Sequence, residues 1–277
     1  MKQVALTSGE KVPVLGMGTW NMGDRPATRA AELRSLRRGI ELGMRLIDTA
    51  EMYGEGAAEE LVGEAIDGHR DEVFLVSKVY PHNATARGTI AACERSLARL
   101  STDRIDLYLL HWRGAVPFAE TLKAFETLVA QGKIRHWGVS NLDCSDLAEL
   151  VAVPGGDQLA TNQVLYNLSR RGVEWDLLPW CGQHGIPVMA YSPMEQAVLL
   201  REPRLLALAA QTDRSAAQLA LAWVLARDGV IAIPKSGNPA HVEENFAALE
   251  RPLEADVLAA LEIIFPPPKK ATPLAML

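Results

Sequence analysis

The sequence of 277 residues contains few cysteines, no long apolar run and no recognisable export signal. An odd number of widely spaced cysteines fits reduced thiols better than a disulfide framework; they are Cys93, Cys144 and Cys181. No run of 18 apolar residues could span a membrane, and the first residues lack the apolar core and cleavage site of a secretory signal. We therefore expect a cytoplasmic protein without a membrane partner.

Basic patches and internal linkers are also missing. The formal net charge is −6, and no cluster of Lys and Arg offers the surface that duplex binding needs, so we expect no nucleic-acid partner. No Gly/Ser-rich or Pro-rich linker divides the chain, and the Pro-dense 266–270 lies near the end as a tail. With 48% hydrophobic and 22% charged residues, the sequence predicts one globular domain over 1–277.

Short apolar runs alternate with amphipathic stretches that have helical spacing. Examples of the helical stretches are 27–43, 89–100 and 215–229. Such alternation favours a parallel sheet with crossover helices. Eight apolar runs predict eight strands: Val14–Met17, Leu46–Ile47, Val73–Val79, Ile105–Leu110, Ile134–Val139, Thr161–Tyr166, Pro187–Tyr191 and Val230–Ile233.

Eight strand–helix repeats in a chain of this length predict an α/β fold, a (β/α)8 TIM barrel. The alternative is a doubly wound open sheet, but GMGTW at 16–20 is not the G-x-G-x-x-G turn which that fold prefers. Two segments lie outside the repeat. The alternation at 3–14 predicts an N-terminal β-hairpin that covers the bottom of the barrel, and 254–265 predicts an extra C-terminal helix.

Polar residues recur about every thirty residues where consecutive strands end. Asp48, Lys78 and His111 end the second, third and fourth strands, and Ser140 with Asn141 ends the fifth. In a closed barrel these positions meet at the carboxyl end of the strands, where barrel enzymes hold their sites. The sequence thus predicts one polar ring at the barrel mouth.

The first members of this ring suit acid–base chemistry at a carbonyl oxygen. Lys78 is placed to pair with Asp48 and to approach the hydroxyl of Tyr53, whose pKa we expect this cation to lower. His111 supplies a second donor, so an alkoxide can develop among these groups. No nucleophile for acyl transfer is evident, and a nicotinamide would supply the hydride.

Other side chains at the mouth suit a nicotinamide cofactor. Ser140, Asn141 and Gln163 carry groups that hydrogen-bond a carboxamide, and Tyr191 offers a flat face to the ring. Lys235 and Ser236 follow the last strand just before a helix, a favourable place for a phosphate. Alternatives remain open for some residues: Asn141 as the cap of a helix at 143–151, and Gln163 and Tyr191 as packed strand residues.

Several motifs together resemble the aldo-keto reductase family, and most closely its small bacterial members that reduce methylglyoxal and related aldehydes. In chain order the motifs are LIDTAEMYG, FLVSKV, DLYLLHW, KIRHWGVSN, TNQVLYN, VMAYSPM and IPKS, and they cover nearly the whole chain. The resemblance implies a catalytic tetrad of Asp48, Tyr53, Lys78 and His111, with Tyr53 as the acid. It implies NADPH bound across the mouth of the barrel without a Rossmann fold, and we expect NADH to be a weaker cofactor.

The resemblance also implies positions that contact the cofactor, and the strand ends at the mouth predict those that contact the substrate. Cofactor contacts are expected from Thr19, Trp20, Asp48, Ser140, Asn141, Gln163, Tyr191, Ser192, Pro193, Lys235, Ser236, His241, Glu244 and Asn245. Glu244 alternatively is an ordinary exposed helix residue. Substrate contacts are expected from Trp20, Tyr53, Tyr80, His111 and Trp112. No metal site is expected, because no cluster of ligands has suitable spacing.

One position departs from the family pattern. His241 stands where the family usually has an arginine that neutralises the 2′-phosphate of NADPH. Histidine is shorter and only partly charged at pH 7, so we expect a weaker or pH-dependent preference for NADPH. Two other functions remain as alternatives: an NADPH sensor that regulates a partner, and a metal-dependent barrel hydrolase. The chain shows no apolar face that demands a partner, so we expect a monomer.

Overall fold

The computed structural model describes residues 2–277, with ten strands and ten α-helices in that range. We number them in chain order. The strands are β1 Gln3–Ala5, β2 Lys11–Pro13, β3 Met17–Gly18, β4 Leu46–Asp48, β5 Phe74–Val79, β6 Ile105–Leu110, β7 Ile134–Ser140, β8 Asn162–Leu165, β9 Val188–Tyr191 and β10 Val230–Ile233. The helices are α1 Pro26–Leu42, α2 Ala57–Ile66, α3 Ala86–Arg99, α4 Phe118–Ala130, α5 Cys144–Ala152, α6 Leu177–Gln183, α7 Pro203–Thr212, α8 Ala216–Leu225, α9 Pro239–Ala247 and α10 Ala255–Ile264.

Strands β3 to β10 form one parallel sheet in sequence order, and its two edges meet. Parallel bridges join Leu15 to Ala232 and Gly18 to Lys235, and the Gly18 N–H donates to the Pro234 carbonyl at 3.0 Å. The sheet therefore closes, which confirms the barrel and rules out the open doubly wound alternative.

The glycines of GMGTW have a structural role at this closure. A Cβ on Gly18 would lie 2.9 Å from the Ile233 carbonyl oxygen, and one on Gly16 would lie 2.7 Å from the Leu46 carbonyl oxygen. Only residues without a Cβ let the first barrel strand approach both neighbours this closely. These glycines serve strand packing, in agreement with their poor match to a dinucleotide-binding turn.

The N-terminal hairpin forms as expected and packs into the amino end of the barrel. Strands β1 and β2 pair antiparallel, with Val4 opposite Val12. The hairpin residues Leu6 and Val12 join a buried cluster with barrel-interior side chains such as Leu46 and Leu107. Polar contacts add to this packing, since the Thr7 hydroxyl donates to the Leu159 carbonyl at 2.9 Å. The bottom of the barrel is covered.

The helices form the outer layer, and a second, larger apolar cluster lies between them and the strands. Helix α1 ends at Leu42 and is capped by Gly43, whose φ of 95° is the left-handed conformation that favours glycine. Helix α8 begins with a capping box between Ser215 and Gln218. None of the helices within residues 2–277 combines the length and apolarity needed to cross a membrane.

Two helices are additional to the eight-fold repeat. Helix α10 is the extra helix expected over 254–265, and it packs against α7. Helix α7 precedes α8 in the connection from β9 to β10, and the sequence periodicity did not reveal it. The segment from Pro203 to Thr212 is as short as a loop that connects two elements. Its helical pattern can therefore be recognised only when the buried face of the helix is known.

Candidate active site

The carboxyl ends of the barrel strands place the expected acid–base residues together. Asp48 is the last residue of β4, Lys78 lies near the end of β5, and His111 directly follows β6. Asp48 and Lys78 are almost completely buried, at 2% and 0% exposure. Tyr53 lies on the turn after β4 and is also buried. The four side chains that the sequence predicts as a tetrad thus share one end of the barrel.

Lys78 is the centre of this group. Its ammonium donates to Asp48 Oδ2 at 2.8 Å, to the Thr49 carbonyl at 2.9 Å and to the Tyr53 hydroxyl at 3.0 Å. The other Asp48 oxygen accepts from the Gln163 side-chain amide at 2.7 Å. All three donor positions of the ammonium are therefore used, which fixes the lysine and directs it at the tyrosine hydroxyl.

Burial and charge act in opposite directions on these groups. Burial lowers the pKa of Lys78, but Asp48 and Tyr53 together raise it further, so the lysine remains an ammonium. Burial raises the pKa of Asp48, and the Lys78 ammonium and the Gln163 amide oppose that rise. The pair at 2.8 Å is an ion pair in a dry environment, where removal of either partner would strand a charge.

The pKa of Tyr53 differs from the expectation. The proximity of Lys78 suggested a lowered pKa, but burial raises the pKa of Tyr53 more than the cation lowers it. The sequence showed the cation and could not show how deeply the phenol is buried. Since the hydroxyl keeps its proton at neutral pH, it is ready to donate, and Lys78 is in place to stabilise the phenolate that donation leaves.

His111 is neutral. Burial, with a smaller effect of the Lys78 charge, lowers the pKa of His111 to about 2. Its ring lies 5.8 Å from the Tyr53 ring, centroid to centroid. Its Nδ1 is buried and has no hydrogen-bond partner within residues 2–277. A buried polar atom without a partner is costly, so fold stability alone does not account for a histidine at this position.

Aromatic side chains line the mouth around Tyr53 and His111, as the sequence predicts. Trp20 meets Tyr53 edge to face at 5.0 Å between ring centroids. Trp112 lies 4.8 Å from His111 and meets Tyr80 edge to face at 5.7 Å. The tryptophan at position 20 remains 40% exposed and is therefore available for contact with a ligand.

Arg113, the charged residue beside these aromatics, is already paired. Its guanidinium contacts Asp146 at 2.5 Å and Glu149 at 2.8 Å, and it stacks over the Phe118 ring. Two acidic neighbours neutralise it, so it serves the surface between the loop after β6 and α5. Arg113 is therefore a paired surface charge of the loop after β6, with little capacity to bind an anionic substrate.

The groups expected to hold a carboxamide lie side by side. The Asn141 amide donates to the His111 carbonyl at 3.2 Å and to the Ser140 hydroxyl oxygen at 3.1 Å. The Tyr191 hydroxyl donates to the Asn141 side-chain oxygen at 3.0 Å. Asn141 has a positive φ of 58°, and Asp143 caps α5 through two backbone N–H groups. The alternative in which Asn141 caps this helix is therefore wrong.

These groups fit a nicotinamide. Ser140, Asn141 and Gln163 supply both donors and acceptors, and the half-buried Tyr191 contributes an aromatic ring at the end of β9. Thr19 is buried, and its hydroxyl donates to the Asp48 carbonyl at 2.9 Å, so it stabilises the backbone at Asp48. Ser192 and Pro193 follow Tyr191 directly on the loop after β9.

The residues expected at the adenosine end form a separate group on the loop after β10 and on α9. Lys235 and His241 are exposed, Ser236 and Glu244 are half-buried, and Asn245 is buried. The Ser236 hydroxyl accepts from the backbone of Asn238, the residue that caps the start of α9. A lysine, a serine and a helix N-terminus together suit a phosphate. None of these groups contacts the tetrad.

The sequence reasoning missed Glu51. Its buried carboxylate accepts from the Tyr80 backbone N–H at 2.8 Å and from the Asn83 side chain at 3.0 Å. It thereby fixes the turn that presents Tyr80 to the mouth. The available signal was an acid inside the apolar motif LIDTAEMYG, three residues after Asp48.

Comparison with known proteins agrees with this geometry. Residues 14–265 match the model of the Aldo/keto reductase family. The chain belongs to the aldo/keto reductase family. This membership and the closed barrel confirm the resemblance seen in the motifs.

Individual relatives within the family are similar over nearly the full length. Methylglyoxal reductase YeaE of Escherichia coli is 54% identical, with 99% of each chain covered. Glyoxal reductase of Bacillus subtilis is 36% identical over 87% of this chain and 85% of that protein. An aldo/keto reductase of Klebsiella pneumoniae, solved in complex with NADP and acetate, has a TM-score of 0.97 at 50% identity and covers 100% of this chain and 99% of its own.

Proposed function

We propose that this aldo/keto reductase uses NADPH to reduce methylglyoxal and other small aldehydes and ketones to alcohols. The observation that carries the proposal is the contact of Lys78 with both Asp48 and Tyr53, beneath an aromatic mouth. Two relatives, methylglyoxal reductase YeaE and glyoxal reductase, support the proposed substrate. The Klebsiella protein, solved with NADP, supports the proposed cofactor.

The tetrad residues have distinct roles in this proposal. Tyr53 donates the hydroxyl proton to the carbonyl oxygen as that oxygen becomes an alkoxide. Lys78, 3.0 Å from the same hydroxyl, stabilises the resulting phenolate, and Asp48 keeps Lys78 charged and correctly directed. Water at the mouth then restores the proton on Tyr53.

His111 orients the substrate. Because its pKa is lowered to about 2, the ring is neutral at pH 7 and takes part as a hydrogen-bonding group without a charge. A neutral donor polarises a carbonyl oxygen without competing with Tyr53 to transfer the proton. The aromatic side chains of Trp20 and Trp112 limit access of water and suit small, uncharged carbonyl compounds.

NADPH supplies a hydride to the carbonyl carbon when it is bound. We assign its nicotinamide to Ser140, Asn141, Gln163 and Tyr191, with Thr19, Trp20, Ser192 and Pro193 nearby. Its adenosine end we assign to Lys235, Ser236, His241, Glu244 and Asn245. The first set lies beside the tetrad, whereas the second lies at the start of α9, so the cofactor would extend across the mouth of the barrel.

The alternative of an NADPH sensor has less support. A sensor needs the cofactor site alone, whereas this chain also keeps the buried ion pair, the proton donor and the neutral histidine in contact. Membership of the aldo/keto reductase family likewise favours the reductase over a metal-dependent hydrolase. We further propose a monomeric, single-domain protein over 1–277 that acts in a reducing cytoplasm, consistent with its three free cysteines.

The experiment follows NADPH oxidation by absorbance, with methylglyoxal and a panel of small aromatic aldehydes. We expect turnover with NADPH and slower turnover with NADH. Tight binding of NADPH without turnover of any aldehyde would reject the reductase and support the sensor. Size-exclusion chromatography with light scattering on the same protein tests the monomer.

The preference for NADPH depends on position 241 in this proposal. His241 is exposed at the start of α9, where an arginine would add a permanent charge near the 2′-phosphate. We expect His241→Arg to raise the ratio of kcat/KM for NADPH over NADH by about 3- to 10-fold, the effect of a partly exposed charge-assisted hydrogen bond. An unchanged ratio would show that His241 does not set cofactor preference.

A further inference from the structure

The loop that follows β9 contains an unusual left-handed turn. Glu195, Gln196 and Ala197 have φ values of 48°, 50° and 70°, and none of the three is glycine. Consecutive non-glycine residues in this region are disfavoured, because the Cβ approaches the following carbonyl oxygen. Such a conformation persists only when the surrounding structure holds it in place, and it concentrates at sites with a function.

The side chain of Glu195 stabilises this left-handed turn. Its carboxylate accepts from the Asn167 amide at 2.7 Å and from the Arg170 guanidinium, through Nε and Nη2, at 2.7 Å each. The Glu195 side chain is only 10% exposed, and its contact with Asn167 is buried, whereas Arg170 is 45% exposed and its contact is partly open to water. The Asn167 amide also donates to the Ser192 carbonyl at 2.9 Å. The loop after β9 is thus fastened to the turn after β8.

The location of this loop connects it to the cofactor. The loop begins directly after Tyr191, whose hydroxyl contacts Asn141 in the nicotinamide group. Strands β9 and β10 are the seventh and eighth strands of the barrel, and loops after these strands often bind phosphate in this fold. The phosphate-binding candidates Lys235 and Ser236 lie on the loop after β10. The phosphates of a cofactor that extends from Tyr191 to Lys235 would pass the fastened loop.

We propose that Glu195 is a positioning residue for the cofactor, and that its contact with Asn167 and Arg170 holds the loop after β9 in the conformation that binds the phosphates. This inference rests on the proposed use of NADPH. Glu195 does not touch the reacting atoms, so its contact sets the affinity and residence time of the cofactor and leaves the chemical step unaffected. Arg170 also neutralises a carboxylate that would otherwise repel the phosphates.

A charge-neutral double variant separates positioning from simple electrostatics. Glu195→Met with Arg170→Met removes the contacts with both Asn167 and Arg170 and leaves the net charge as it was. We expect the Kd for NADPH, measured by quenching of tryptophan fluorescence, to rise about 10-fold, within the range of coupling between residues in one network. The rate of NADPH release in stopped flow should rise accordingly. Turnover at saturating NADPH should remain within about 2-fold, because the tetrad is untouched.

The single variants measure the electrostatic contribution to NADPH binding, because they change the local charge in opposite directions. Arg170→Met leaves a carboxylate without a cation near the phosphates and should weaken binding more than Glu195→Met, which leaves a cation. A role through charge alone predicts that the double variant binds as the wild type does. High salt screens this charge effect and should leave the weakening in the double variant largely in place.

The matched control is the exposed ion pair of Arg204 with Glu202, 2.8 Å apart at the start of α7. The double variant Glu202→Met with Arg204→Met should bind NADPH as the wild type does. Thermal unfolding shows that each variant is folded at the temperature of the assay. Wild-type affinity in the Glu195/Arg170 double variant would overturn the inference, whereas failure of the wild type to bind NADPH would reject the proposed function itself.

Discussion

The two ends of the barrel each contain a buried aspartate, and their partners differ. Asp48, at the carboxyl end, contacts the ammonium of Lys78 with one oxygen and the neutral amide of Gln163 with the other. Asp106, second in β6 at the amino end, contacts the guanidinium of Arg70 at 2.8 Å and that of Arg135 at 3.0 Å, as well as the Leu75 backbone N–H. Both aspartate residues are at most 2% exposed.

This difference separates a reactive arrangement from a structural one. Arginine does not titrate in proteins and its planar group holds carboxylates in fixed geometry, so the amino-end network stabilises the barrel. It continues to the N-terminal hairpin, because Arg135 and His136 both contact Glu10 at 2.7 Å. The mouth instead has a single lysine, shared between an acid and a phenol. A cation shared with the phenol stabilises the phenolate that is left after Tyr53 donates its proton.

The largest expected effect is on turnover at the mouth. Tyr53→Phe should lower kcat about 10²- to 10⁴-fold, because it removes the general acid. NADPH affinity should change little, since no assigned cofactor contact depends on the hydroxyl. Steady-state kinetics and fluorescence titration measure the two quantities.

The control for this variant is the matched change Tyr108→Phe. Tyr108 is fully buried on β6, and its hydroxyl has no hydrogen-bond partner in the described chain. It should keep wild-type kcat. Wild-type kcat in Tyr53→Phe would show that another group donates the proton.

Removal of the cation at each end should have unequal effects on folding. Lys78→Met leaves Asp48 without a cation and should lower the free energy of unfolding by about 3–5 kcal/mol, the range for a broken buried pair. Arg70→Met leaves Arg135 in contact with Asp106, so its cost should be smaller. Urea unfolding at pH 7 measures both. Asp48→Asn added to Lys78→Met should recover part of the loss, and equal losses in the two single variants would contradict the comparison.

Loss of the carboxylate at the amino end should affect stability alone. We expect Asp106→Asn to lower the free energy of unfolding by about 1–3 kcal/mol, because buried donors lose a charged acceptor. At a temperature where the variant is folded, kcat should equal that of the wild type. A large fall in kcat of the folded variant would mean that the amino-end network also shapes the active site.

The last prediction concerns the pH dependence of stability. His111 has a folded pKa of about 2, below the usual value near 6.5, so the unfolded chain binds the extra proton. Its contribution is fully present above pH 6.5 and is lost as the pH falls, by up to about 1.4 kcal/mol per unit. Urea unfolding of His111→Asn between pH 7 and 5 should show a shallower slope than the wild type. Identical slopes would show that His111 is not held neutral.

The sequence by itself determined the repeat, the barrel and the residues at the strand ends. Strand–helix periodicity follows from local side-chain patterns, and in a parallel barrel the end of every strand faces the same mouth, so Asp48, Lys78 and His111 had to approach each other. The motif order identified the family for the same reason, since these motifs lie at strand ends. The sequence also placed the hairpin and the last helix correctly.

Only the tertiary structure decided the environment of each group. Burial depends on contacts from distant segments, so the raised pKa of Tyr53 could not be read from its nearness to Lys78. The neutralisation of Arg113 by α5, the support of Tyr80 by Glu51 and the hold of Glu195 on its loop each join separate segments of the chain. A linear pattern contains no such pairing, because the partners become neighbours only when the barrel closes.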